Sequence, residues 1–184
     1  MNNPQIKPGF TPPPENTHID ENAVMRVNVL IPGRLERLVT DYGFELVEIA
    51  PNEAIPGSFW GDDEAGLIGH RLYVRQDTAV HSALHEFAHL LCVDPDRRAQ
   101  LHTDAHSDDL EEMAVCYLQI LLADHLPGFG RERALADMDA WGYSFRLGSA
   151  QRWFEEDAAD AYAWLQHFGL IDACGQLTFQ PRRS

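Results

Sequence analysis

The sequence predicts an α+β domain, a small mixed sheet followed by a helical core, on three observations. Apolar and acidic residues alternate over residues 44–49, the period of a strand with one wet face. From residue 79 onward, apolar residues recur at three- and four-residue spacing in long blocks, the period of helices with a buried stripe. The two patterns are also segregated along the chain, and strands first with helices after build an α+β domain rather than alternating βαβ units.

Each element follows from local signals. Five of the 11 prolines fall within the first 14 residues, among Asn, Thr and Gly, so residues 1–20 are expected to form a flexible arm and residues 21–184 a single domain. Leu35, Leu38 and Val39 lie at helical spacing after Pro32, and Gly43 is a stop, which predicts a helix over residues 31–42. The strand over residues 44–49 follows, interrupted by Pro51, Pro56 and Gly57. Residues 58–60 and 67–75 read as two more strands, joined by the acidic turn Gly61-Asp62-Asp63-Glu64.

The helices come next. Asp77 or Thr78 is placed to cap a helix through Ala79, Val80, Ala83, Leu84, Phe87, Ala88 and Leu91, which Asp94-Pro95 ends. Asp108 or Asp109 opens another, through Leu110, Met113, Ala114, Tyr117, Leu118 and Leu121, stopped by Pro127-Gly128. Residues 131–141 and 150–168 are predicted as two further helices, the second closed by Gly169. No internal repeat is present at solenoid periods.

The 184 residues carry 29 acidic and 14 basic side chains, a formal charge of -15. The excess is divided almost evenly between the two halves of the chain, so it is not confined to a tail. Such a surface repels phosphate backbones and anionic lipid, and nucleic acid and membrane are excluded as principal partners. The start, MNNPQIKPGF, has neither a basic nor an apolar leader segment, and no stretch reaches the ~18 apolar residues of a membrane span. Cys92, Cys116 and Cys174 are odd in number and widely spaced, which suits reduced thiols and predicts a cytoplasmic protein.

Residues 85–89 read His85-Glu86-Phe87-Ala88-His89. On a helix, positions i and i+4 stack one above the other, so His85 and His89 can direct two imidazole nitrogens at one metal ion, and neutral imidazole suits zinc. Glu86 lies about 100° around the helix, too far round to bind the metal yet able to reach a water bound on it. A carboxylate there can take the proton of that water as it attacks a carbonyl. Leu84, Phe87, Ala88, Leu90 and Leu91 flank the motif, so the helix is expected to be central, and buried polar groups need partners of the kind a metal supplies.

With these residues the chain resembles the His-Glu-x-x-His zinc metallopeptidases, in particular the glutamate-zincins, in which a second helix brings the third ligand in a pattern Glu-x-x-Ala followed by Asp or Asn. Residues 111–115 read Glu111-Glu112-Met113-Ala114-Val115, so the resemblance gives Glu111 the ligand place, with Val115 where the family has an acid or amide. It covers about residues 67–123. It implies a zincin-like fold, one Zn²⁺ ion, a Glu86 general base and a polypeptide substrate, which in zincins pairs with a strand edge, here expected from residues 67–75. Helical projection also puts Glu111 at the edge of the apolar face, between Leu118 and Leu122, whereas Glu112 groups with Cys116, Gln119 and Ala123. Glu112 is the alternative third ligand; Asp104, His102, His106 and Asp108 are further ones.

Other residues are open to different readings. His81 would stretch the histidine face to three turns, about 12 Å, too long for one metal, so it reads as a supporting residue. His102 and His106 form a further i, i+4 pair, but their flanks read as loop. The chain after His89 lacks the glycine and third histidine of the metzincins. Cys92 and Cys116 read as small buried packing residues. Tyr143, His70, His102 and His106 are candidate donors to a developing oxyanion. Residues 140–149 read as a connection that packs Trp141 and Phe145, or as a pocket lining. The alternative to a peptidase is a regulatory or interaction protein, with a protein partner, on the same fold.

Overall fold

The computed structural model describes residues 24–59, 61 and 63–183; the expected arm over residues 1–20 lies outside them. A 3₁₀ turn at Val27–Val29 leads into α1 (Arg34–Asp41), then strands β1 (Glu45–Glu48), β2 (Gly66–Ile68) and β3 (Arg71–Val74). Six helices follow: α2 (Val80–Cys92), α3 (Pro95–Ala99), α4 (Asp109–Ala123), α5 (Gly130–Trp141), α6 (Ala150–Glu156) and α7 (Ala159–His167). The chain is thus a mixed α and β structure with a three-stranded sheet and seven α-helices among the described residues.

The sheet order is β1-β3-β2, with β1 parallel and β2 antiparallel to β3, so it is mixed as expected. The predicted strand over residues 67–75 is instead a hairpin. Gly69, at φ +59°, takes the left-handed conformation that a tight reversal needs and a strand cannot hold. Of residues 58–60, Ser58 contributes only an isolated bridge to Gly66. That bridge depends on glycine, because a Cβ on Gly66 would lie 2.1 Å from the Pro56 carbonyl oxygen.

Leu72 and Val74 alternate inward from β3 onto α2, and one apolar cluster runs from Leu30 in the α1 approach to Ile171 after α7. The apolar faces of α2 and α4 meet at its centre, where α4 is also flanked by α5 and α7. None of the helices among the described residues is long and apolar enough to cross a membrane.

Three helix boundaries differ from expectation. Neither Asp77 nor Thr78 caps α2. Thr78 Oγ1 accepts from Arg75 N (2.9 Å), Asp77 pairs with the Arg75 guanidinium (2.7 Å), and the first N–H of the helix, on Val80, donates to the Met25 carbonyl (2.9 Å). Asp94 both follows α2 and caps the short α3, accepting from the Asp96 and Arg97 N–H groups with Pro95 in the first turn. The helix predicted over residues 150–168 is broken: Asp157 leaves helical geometry (φ -136°, ψ 1°) and its carboxylate pairs with Arg146 from the preceding loop. Asp108 caps α4 as expected, accepting from Glu111 N at 2.8 Å.

The C-terminus of α2 is closed from outside. The buried Arg98 guanidinium donates to the carbonyls of Leu90 (2.9 Å), Val93 (2.6 Å) and Arg182 (3.1 Å), so it occupies acceptors that a helix end leaves open. The chain end returns to the same place, where Arg182 N donates to the Leu91 carbonyl at 2.9 Å.

Candidate metal centre

The motif helix is buried along nearly its whole length, and His85 and His89 face α4. The Nε2 atoms of His85 and His89 are 3.1 Å apart. Glu112 lies against both: one carboxylate oxygen is 3.3 Å from His85 Nε2 and the other 3.4 Å from His89 Nε2. The opposite ring nitrogens are held separately. His85 Nδ1 is 2.7 Å from Gln119 Oε1, and His89 Nδ1 is 3.3 Å from Ser107 Oγ. Ser107 donates its hydroxyl hydrogen to Glu111 at 3.0 Å, which leaves the oxygen to accept from His89.

This arrangement sets the tautomers. With the Gln119 carbonyl oxygen and the Ser107 hydroxyl as acceptors, both Nδ1 atoms carry their protons, and the two Nε2 lone pairs then face each other and a carboxylate. Three electron-rich atoms at this separation repel unless a positive charge lies among them. Burial opposes a charge on His85, but Cys116 and Glu112 beside it outweigh burial and hold its pKa well above the usual histidine value. A proton can therefore meet the demand, and so can a metal cation bound by two imidazoles and a carboxylate, with the Nδ1–H groups donating outward as ligating histidines do. The residues could hold a metal ion.

Glu111 is placed differently from the sequence expectation. Although buried, it faces away from the histidines, and each of its oxygens accepts twice. Arg97 binds it through two parallel bonds of 2.8 Å, Arg182 adds one at 3.3 Å, and Ser107 supplies the fourth. A carboxylate so held has no lone pair to offer a metal without breaking a bidentate ion pair. Ser107 links it to His89. The projection onto a single apolar face misled because α4 is buried on nearly all sides: Glu111, Glu112, Cys116, Leu118 and Gln119 are all inside.

The remaining candidates separate cleanly. Glu86 is half-buried on the same turn as His85, whose side chain is 12% exposed, so the motif reaches the surface there. Tyr143 places its ring 5.9 Å from that of His85, and burial pushes its hydroxyl pKa up, which keeps it a donor at neutral pH. His70 stacks on Phe44, His102 contacts Thr103, and His106 pairs with Asp104 at 3.4 Å. Asp108 is the α4 cap, so none of these replaces Glu112. His81 is buried one turn before His85 against Trp141 and Tyr143, and neither ring nitrogen has a hydrogen-bond partner among the described residues.

The loop around Tyr143 packs Phe145 as expected but leaves Trp141 only half-buried. Phe145 is buried and stacks on Trp153 (4.5 Å), while Ser144, Phe145 and Arg146 also line an open pocket with Met113 and Leu110. The outer edge of β2, by contrast, is not open for a further strand. Leu67 donates to the Gly57 carbonyl (3.2 Å) and accepts from Thr103 N (2.9 Å), so its outward-facing groups are already paired.

Gln119, Ser107 and Cys116 were not recognised as parts of the site from sequence. For two of them the signal was present, since Glu112, Cys116 and Gln119 share one stripe of α4 at i, i+4 and i+7. No family model, no curated protein and no solved structure matches this chain.

Proposed function

We infer that the protein is a zinc-dependent metallohydrolase of zincin-like type acting on amide bonds, with His85, His89 and Glu112 as the metal ligands. The observation that carries this reading is the convergence of two Nε2 lone pairs and the Glu112 carboxylate beside a glutamate, Glu86, on the same helical turn. A zinc ion there supplies Lewis acidity and makes water acidic enough to deprotonate near neutral pH. The donor set alone is not specific to zinc, because two histidines and one carboxylate also suit iron(II).

The roles of the chain's own groups follow from their chemistry. Glu86 takes a proton from the attacking water as the new C–O bond forms, and returns it to the nitrogen as the C–N bond breaks. The Tyr143 hydroxyl donates to the oxygen on which negative charge develops. Gln119 and Ser107 hold the two imidazoles in the tautomers that leave Nε2 free to bind. With the β2 edge occupied, a polypeptide substrate is held by side-chain contacts near Glu86 and Tyr143 rather than as a strand added to β2.

Metal analysis of the purified protein together with hydrolysis of an unfolded, fluorescently labelled polypeptide tests the reading. One equivalent of zinc in the wild type, loss of it in His85→Ala, and hydrolysis abolished in Glu86→Gln with zinc retained are expected. Less than a tenth of an equivalent of any transition metal would sink it; stoichiometric iron in place of zinc would keep the site and overturn the hydrolase.

A further inference from the structure

The face of α4 turned toward α2 carries a second pair of potential ligands one helical turn apart. Cys116 follows Glu112 by four residues, as His89 follows His85, so each helix directs an i, i+4 pair across the same interface. The donor atoms of His85, Glu112 and Cys116 all lie within 4.8 Å of one another. Cys116 forms no disulfide, is 2% exposed, and its side chain lies against His85.

We propose that Cys116 is a fourth protein ligand, so that the resting centre is a His85, His89, Glu112 and Cys116 site closed by a thiolate. The proposal rests on the metal-site reading above and adds a regulatory property to it. On binding, the S–H proton passes to solvent and a metal–sulfur bond forms. Two imidazoles, a carboxylate and a thiolate complete a tetrahedron, and a site with four protein ligands keeps no position for water. Hydrolysis would then begin only after a water takes the place of the thiolate, whose sulfur regains a proton from solvent, and the soft sulfur favours zinc or cobalt over magnesium or calcium. Cys92 has no such place: burial, with Glu111 and Glu112 nearby, pushes its thiol pKa well up, and it packs at the end of α2 as an inert thiol.

The test uses the full-length protein stripped of metal and titrated with cobalt(II). The wild type is expected to bind one equivalent and to develop a thiolate-to-cobalt charge-transfer band in the near ultraviolet. Cys116→Ser should lose that band, with affinity lower by about 100-fold, since even an outer-shell partner is worth 10–100-fold. A Cys92→Ser, Cys174→Ser double variant leaves Cys116 untouched and as the sole thiol; it should keep the band, and it decides the matter even if Cys116→Ser does not fold. One equivalent bound by the wild type without a charge-transfer band, or a band lost in the double variant, overturns the Cys116 assignment and leaves the three-ligand site standing. No cobalt bound at all overturns the metal site itself.

Discussion

Glu111 and Glu112 are consecutive residues on α4 whose carboxylates serve separate partners: Glu112 faces His85 and His89, while Glu111 is clamped by Arg97 and Arg182. Ser107, donating to Glu111 and accepting from His89, joins the two sets. Their variants should therefore fail in different ways. Glu112→Gln is expected to lower zinc affinity by at least about 100-fold, because an amide is a poor ligand for the ion. Glu111→Gln should keep zinc but lose about 2 kcal/mol of stability, as two guanidiniums lose their counter-charge; Arg97 is a third exposed, which moderates the cost below that of a fully buried pair. Equilibrium dialysis and urea unfolding of both variants separate the two effects, and zinc lost in Glu111→Gln but kept in Glu112→Gln would reverse the assignment.

Gln119→Leu and Ser107→Ala remove the groups that orient the histidines without touching a ligand. Each is expected to weaken zinc binding by 10–100-fold, the usual cost of losing an outer hydrogen bond to a ligating imidazole. Competition with a chromophoric chelator measures the change. Unchanged affinity in both variants would mean that packing alone holds the rings.

His81 makes stability depend on pH. Burial, followed by the positive charges of His85 and Arg26, pushes its pKa down to about 3 from 6.5. Below the ordinary histidine pKa the unfolded chain gains a proton that the folded protein refuses, so this contribution is complete above that value and drains away as pH falls toward 3. The loss is roughly 1–2 kcal/mol between about pH 7 and pH 5.5. His81→Leu should flatten that slope in urea unfolding of metal-free protein at the two pH values. The raised pKa of His85 acts in the opposite sense, so the two contributions are told apart by the sign of the slope. Parallel slopes would show that His81 is solvated.

The buried Arg98 is predicted to be costly to replace. Arg98→Met leaves the Leu90, Val93 and Arg182 carbonyls without their buried donor, about 3 kcal/mol in total, which lowers the Tm by on the order of 10 °C in a chain of this size. A calorimetric shift under about 2 °C would show that water replaces the guanidinium there.

Removing the metal should also be visible in the melt. At zinc concentrations a hundredfold above Kd, binding adds about 2.7 kcal/mol, so excess chelator should lower the Tm by about 5–10 °C in wild type and by almost nothing in His85→Ala. An equal response of the two proteins would place the bound metal elsewhere.

The sequence alone determined the local features: the strand around Leu46, the positions of α2 and α4, the Asp108 cap, and His85 and His89 one turn apart beside Glu86. These follow from periodicity and nearest-neighbour chemistry, which act within a few residues. It did not determine where long-range partners meet. Whether Glu111 or Glu112 turned toward the histidines depended on Arg97 in α3 and Arg182 near the chain end, which claim Glu111 from 14 and 71 residues away. The cap of α2 came from Met25, the hairpin from Gly69 and Leu101, and the break at Asp157 from Arg146. An amphipathic stripe marks the buried side only when a helix has one. Because α4 is covered on several sides, both glutamates are inside, and the choice between them rested on charge partners that only the folded chain brings together.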